Sequence, residues 1–212
     1  MIVEARRLLE ELAKHDSANY RWSIAVLNAR LKEAQLVWKQ GNSFLAAQLT
    51  TDVRPQLERL TANEPTSRSF AFWLAKTLLF DARMRAGTDP AVAMALAQRA
   101  VEVSEALVLD NRTTNAEVGE CAHAWVLAGE IAAQTGDLAL ARVRWQRAVD
   151  LIGLRMQGSL HWRLLDPAAR AVAALGRIDE ARLIAERLHK IGYVPLEPWP
   201  SAITPGAPES MP

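Results

Sequence analysis

A single cysteine, Cys121, excludes an internal disulfide, so a folded state must rest on core packing alone. Long apolar runs are missing too. None approaches the roughly 18 residues that a membrane-spanning helix needs. Met1 leads into the amphipathic stretch Ile2-Val3-Glu4-Ala5-Arg6-Arg7-Leu8-Leu9 rather than into a secretory signal. These absences predict a cytoplasmic chain with no membrane insertion. Neither sign of charge dominates, since 25 Lys and Arg face 24 Asp and Glu for a net charge of +1. Alternating runs of Val, Ile, Thr and aromatics bounded by turns do not occur, and no sheet is expected.

Signatures of chemistry are equally scarce. There is no glycine-rich phosphate loop, no Gly-x-Ser-x-Gly elbow, no His-Glu-x-x-His and no Cys-x-x-Cys. His15, His123, His161 and His189 are scattered. Cys121 and His123 are spaced i to i+2, which turns them to different faces of a helix and argues against a zinc site. Carboxylate pairs such as Glu10-Glu11 and Asp179-Glu180 read as solvated surface. The expectation is a protein that is not an enzyme and holds no metal or cofactor.

What the chain has is helix. Half its residues are apolar, with Ala, Leu and Arg abundant, and these favour helix over strand. Residues 125–148 carry the clearest pattern: Trp125-Val126-Leu127-Ala128-Gly129, Ala132, a Gly136-Asp137 turn, then Ala141, Trp145 and Ala148. Two helices cross closely only where small residues sit at the crossing and large ones fill the wedge on either side. Ala128, Gly129, Ala132, Ala141 and Ala148 supply the first, and Trp125 and Trp145 the second. Gly136 is placed to end one helix and Asp137 to cap the next. This stretch resembles one unit of the tetratricopeptide repeat family. It departs from the family at two positions that are normally Leu and Tyr and are alanine here, and Gly153 stands where a proline usually follows.

Looser copies flank it. Ala93, Ala181 and Ala46 or Ala47 occupy places equivalent to Ala141, each shortly after a glycine (Gly87, Gly176 and Gly41), at spacings of about 47, 48 and 40 residues. The family's own period is about 34, so helices or connections must be longer here. In the second unit Ala75, Leu78, Leu79 and Ala82 lead to Asp89-Pro90, an N-cap followed by a first-turn proline, and then to Ala93, Ala97 and Ala100. In the fourth, Leu165, Ala168, Ala169 and Val172 precede Gly176, and Asp166-Pro167 is expected to restart or kink the helix. In the first, Leu31, Ala34 and Trp38 precede Gly41-Asn42-Ser43, and Pro55 is expected to bend or split the second helix. Helices are predicted over Ser67 to Ala86, Glu120 to Gln134 and Leu138 to Leu151.

The predicted organisation is a helical repeat domain over residues 1–194, with units at about 17–62, 67–109, 120–152 and 160–194 preceded by a helix over 2–15. Asp16-Ser17 is expected to end that first helix and cap the next. Its stripe of Ile2, Val3, Leu8, Leu9 and Leu12 needs a cover, either a preceding repeat helix upstream or a second copy of the chain. Residues 195–212 contain six prolines and are expected to be a disordered tail, with Trp199 pinned to the last helix pair.

The resemblance implies an all-α fold, a right-handed superhelix of antiparallel helix hairpins. It also implies a concave face, built by the first helix of each unit, that binds a peptide or partner protein. Carried over by register, the candidates for that face are Lys32, Leu36 and Lys39; Trp73, Lys76, Phe80 and Arg83; His123, Val126, Glu130 and Gln134; and Arg163 and Arg170. Trp73 and Phe80 read more readily as core than as contact. Members of the family that bind chaperones clamp a carboxylate terminus with asparagines that are missing here, which disfavours that ligand. Residues 96–137 carry a balance of −5 and residues 138–192 one of +5, but the arginines lack interleaved aromatics, so no nucleic acid partner is expected. Asp16 to Trp22, Asn63 to Trp73 and the closing Leu188-His189-Lys190-Ile191-Gly192-Tyr193 resemble the C-terminal repeat regions of bacterial signalling proteins, which follow a serine/threonine kinase or winged-helix domain. That resemblance implies a sensor or docking role. The alternative is a structural segment that pairs with itself or with neighbouring domains.

Overall fold

A computed structural model describes residues 2–16, 19–109 and 112–205, with Leu154 described in its backbone only. Among these residues the chain is entirely helical and contains no strand. Ten α-helices follow one another: α1 Ile2–His15, α2 Tyr20–Lys39, α3 Ser43–Thr51, α4 Val53–Asn63, α5 Arg68–Arg85, α6 Pro90–Val108, α7 Asn115–Gln134, α8 Leu138–Ile152, α9 Trp162–Ala174 and α10 Ile178–Lys190. Short 3₁₀ turns cover Gly153–Met156 and Ser201–Ile203.

Neighbouring helices pack in pairs, α5 with α6, α7 with α8 and α9 with α10. Pairs then join through α6 against α7 and α8 against α9, and the first helices touch along α5, α7 and α9. The small residues do what their size suggests. Ala128, Ala132, Ala141 and Ala148 are completely buried. A Cβ on Gly129 would lie 2.4 Å from the Trp145 indole nitrogen. Trp125 packs against both the middle and the last of the three apolar clusters, so the core runs on from pair to pair.

Local chemistry sets the boundaries. Asp137 accepts from the Leu140 N–H at 2.9 Å and Asp89 from the Val92 N–H at 3.2 Å, with Pro90 in the first turn. Gly136, at φ 90°, takes the left-handed conformation that lets the chain reverse between α7 and α8. Helix α7 begins five residues before the predicted Glu120 because Thr114 and Glu117 form a reciprocal capping box. The first unit's second helix is split, giving α3 and α4. The ring of Pro55 would clash with the carbonyl four residues back, and α3 ends at that residue, Thr51.

Three expectations are corrected. Asn19, not Ser17, caps α2, accepting from the Arg21 N–H at 3.2 Å; Ser17 lies outside the described residues. Helix α9 runs unbroken through Pro167. Proline has no N–H to offer the Arg163 carbonyl, and that oxygen faces α7, where a Cβ on Gly119 would sit only 2.1 Å away. The glycine makes room for that carbonyl, and the two helices close over it. The third correction concerns the C-terminus: residues 195–205 are not a free tail. Trp199 and Ile203 join the core cluster of α7 to α10, with Ile203 only 1% exposed. The part of the expected tail at 206–212 lies outside the described residues.

Candidate functional site

Four helices, α2, α5, α7 and α9, each present one stripe to a common cavity. On α5 the stripe is Lys76, Leu79, Phe80 and Arg83, spaced at i, i+3, i+4 and i+7. Glu120 and His123 come from α7, Asp166 and Arg170 from α9, and Gln35 from α2. The remaining wall is the C-terminal segment, through Tyr193, Leu196 and Glu197. The cavity measures about 160 Å³.

Its walls alternate in charge, and most charges are partnered. Lys76 Nζ lies 2.9 Å from Glu120, Arg83 Nε 2.9 Å from Glu197, and Arg170 Nε 3.3 Å from Asp166. Asp166 Oδ1 accepts the Trp199 indole N–H at 2.7 Å. The Arg83–Glu197 contact is an ion pair by distance only, since Arg83 Nε and Nη2 make no hydrogen bond although both atoms are buried. His123 Nδ1 is buried without a partner as well, while its Nε2 lies 3.5 Å from Asp166.

Burial pushes the His123 imidazole down to about 4, with Arg83 and Arg170 adding to the effect and Asp166 and Glu120 opposing it. The ring is therefore neutral at pH 7. Burial raises the Glu130 carboxyl, against the pull of Arg83 at 4.0 Å. It also raises the Tyr193 hydroxyl, reinforced by the Asp166 carboxylate. The cavity lining contains no Ser, Thr or Cys to act as a nucleophile, and a histidine titrating near 4 is a weak base. Cys121, adjacent in sequence, is buried with its thiol pushed up to about 11. Among the described residues no group of three His, Cys, Asp or Glu could hold a metal ion, and no helix is long and apolar enough to cross a membrane.

The C-terminal segment lies on this face as irregular chain that bends at Leu196 and Glu197. Its carbonyls are held by side chains: Lys39 Nζ donates to Pro195 O at 3.2 Å and Arg170 Nη2 to Glu197 O at 2.6 Å. Pro200, at φ −50° and ψ 139°, has polyproline II geometry. Its carbonyl accepts from the Ile203 N–H at 3.0 Å and from the Thr204 hydroxyl at 3.2 Å, both within the segment. Tyr193 stacks on Trp162 at 5.3 Å and lies 6.2 Å from Trp199, extending the face with aromatic rings.

Of the residues expected on a concave face, Lys76, Phe80, Arg83, His123 and Arg170 are brought together at the cavity. Lys39 reaches the segment and Glu130 pairs with Arg83. The others are placed elsewhere. Val126 is completely buried in the core, a correction that follows from α8 and α9 both packing on α7. Trp73 packs against two core clusters and does not line the cavity, so it reads as core. Lys32, Leu36 and Gln134 are exposed away from the lining, and Arg163 lies over the Trp162 ring at 4.4 Å. Sequence reasoning missed Gln35, Glu120, Asp166 and Glu197. Asp166 reads there as part of a helix break and Glu197 as part of a tail, although Trp199 beside so many prolines was a signal of docking.

No protein-family model matches the chain, and no curated protein matches it in sequence.

Proposed function

We propose that this chain is a protein-interaction module that binds a peptide or partner segment along the face formed by α2, α5, α7 and α9. One observation carries the reading. That face already holds an irregular stretch of polypeptide, held at two backbone carbonyls by Lys39 and Arg170 and facing Arg83 with one carboxylate. Bonds to carbonyls give affinity for a chain, and side-chain contacts then give selectivity. Small residues at the helix crossings and sequential pairing support a repeat of tetratricopeptide type, and the resemblance to bacterial signalling regions supports a docking role within such a system.

The test is site-specific photo-crosslinking in the source cells. A photoreactive residue at Gln35, which lines the cavity, is expected to capture a partner protein. The same residue at Val143, exposed on α8, is expected to capture little. Adducts from Val143 alone would move the binding surface to the other face and overturn the reading.

A second reading has its own support at the opposite end. No residue of α1 is buried, and Val3, Leu8 and Leu12 are 55%, 48% and 43% exposed. The helix turns Ile2, Arg6, Leu9, Glu10 and Ala13 inward and packs mainly on α2, where Arg6 meets Glu33 at 2.7 Å and Glu10 meets Arg30 at 2.9 Å. Its outward apolar stripe fits self-association. A concentration-dependent mass, abolished by Leu8→Lys with Leu12→Lys, is the expected result under that reading. A constant monomer mass would remove it.

A further inference from the structure

The binding face discloses what kind of segment it takes, because it holds one. We infer that its ligand is a proline-bearing segment with a carboxylate and a tryptophan two residues later, and that Glu197-Pro198-Trp199 is an internal copy that occupies the site until a partner displaces it. This rests on the reading of the face as a peptide-binding surface.

Each part of the motif meets a complementary group. The Glu197 carboxylate faces Arg83 at 2.9 Å, and its backbone carbonyl accepts from Arg170. The Trp199 indole is 9% exposed and donates to Asp166, a carboxylate itself 3% exposed. Pro198 is exposed, so it contributes backbone shape rather than contact. A proline between the two fixed side chains holds φ near −65° and lowers the entropy lost on docking. Charge alternates along the receptor in the same order, with Lys39 and Arg83 ahead of Asp166.

The internal segment also fits imperfectly, and this is what makes exchange possible. Arg83 Nε and Nη2 stay buried without hydrogen-bond partners beside the cavity. A buried donor left unpaired is costly. A segment that placed acceptor oxygens against these atoms would therefore outcompete Glu197, despite the advantage of tethering that an attached ligand enjoys.

The experiment uses full-length chains and fluorescence anisotropy. A labelled peptide of residues 193–204 is titrated into the parent and into Trp199→Ala, whose internal copy is weakened. Binding to Trp199→Ala is expected to be at least about ten-fold tighter than to the parent, because the parent's site is mostly filled. Peptides carrying Glu→Gln and Trp→Ala at the motif positions are expected to bind at least about ten-fold more weakly. Should Trp199→Ala fail to fold, Glu197→Lys opens the same competition. Absence of saturable binding to a folded, weakened chain would overturn the inference. Equal binding of altered and unaltered peptides would overturn the ligand class, while crosslinks from Gln35 would still stand for the face itself. A mass showing that two chains exchange their C-terminal segments would assign the site to a second copy and overturn a separate partner.

Discussion

Trp199 donates its indole N–H to Asp166 across 33 residues of sequence, at 2.7 Å and in a buried setting. The bond joins the C-terminal segment to a helix that lines the cavity. Trp199→Phe keeps most of the apolar ring but removes the donor from a carboxylate that retains Arg170 as a partner. The expected loss is about 1–3 kcal/mol, read from the urea midpoint. An unchanged midpoint would mean that the segment is not docked through this bond.

The glycines of α7 give a graded comparison. An alanine Cβ at Gly119 would meet the Arg163 carbonyl at 2.1 Å, and backbone cannot swing aside. One at Gly129 would meet the Trp145 indole at 2.4 Å, which can shift in part. Gly87 has nothing within 4 Å. Gly119→Ala is expected to cost on the order of 3 kcal/mol and Gly129→Ala about 1–3 kcal/mol. Gly87→Ala should stay within about 0.5 kcal/mol of the parent. Melting temperatures that do not separate Gly119→Ala from Gly87→Ala would contradict the close approach of α7 and α9.

Lys76 is not a free surface charge. It pairs with Glu120, which is 8% exposed, so Lys76→Ala leaves a buried carboxylate alone. A loss of about 1–3 kcal/mol is expected. Lys76→Ala combined with Glu120→Gln should recover much of it. Binding tests that use Lys76 variants therefore need this stability control.

Acid separates two buried groups. His123 titrates near 4 in the folded chain and near 6.5 when unfolded, so the unfolded chain takes up the proton first. Its contribution to stability is complete above about pH 6.5 and is lost as pH falls toward 4. Asp81 runs the other way, because burial raises its carboxyl from 3.8 to about 6. The folded chain holds that proton more tightly, and stability rises as pH falls from about 6 toward 3.8. The two slopes largely oppose each other in the parent. His123→Gln should therefore gain about 2 kcal/mol relative to the parent between pH 7.5 and 4.5. Asp81→Asn should be more stable than the parent by on the order of 2 kcal/mol at pH 7.5, an advantage that disappears by pH 4. Urea midpoints at the two pH values check both, and parallel curves for the three proteins would contradict the assignments.

Much of the helical order was legible in the sequence, because Gly136-Asp137, Asp89-Pro90 and the spaced alanines encode turn, cap and crossing over short distances. What stayed hidden depends on partners far apart in the chain. Asp166-Pro167 reads as a break, and only the glycine on α7 shows how the Arg163 carbonyl is accommodated there. The prolines after Tyr193 read against α-helix and strand, yet an irregular chain with one 3₁₀ turn can still bury Trp199 and Ile203 and lend its carbonyls to Lys39 and Arg170. Val126 was assigned to the face by the register of a shorter repeat, whereas two neighbouring helices bury it. Glu120 and Asp166 gain their roles only when α5, α7 and α9 lie side by side.

A double-mutant cycle between Arg83 and Glu197 tests the central claim most directly, that this face grips a segment of chain. Arg83→Gln, Glu197→Gln and the pair are compared with the parent by urea unfolding. The predicted interaction energy is about 1 kcal/mol, and it should shrink as salt is raised. Strictly additive losses at low salt would place Glu197 away from Arg83 and contradict an occupied binding face.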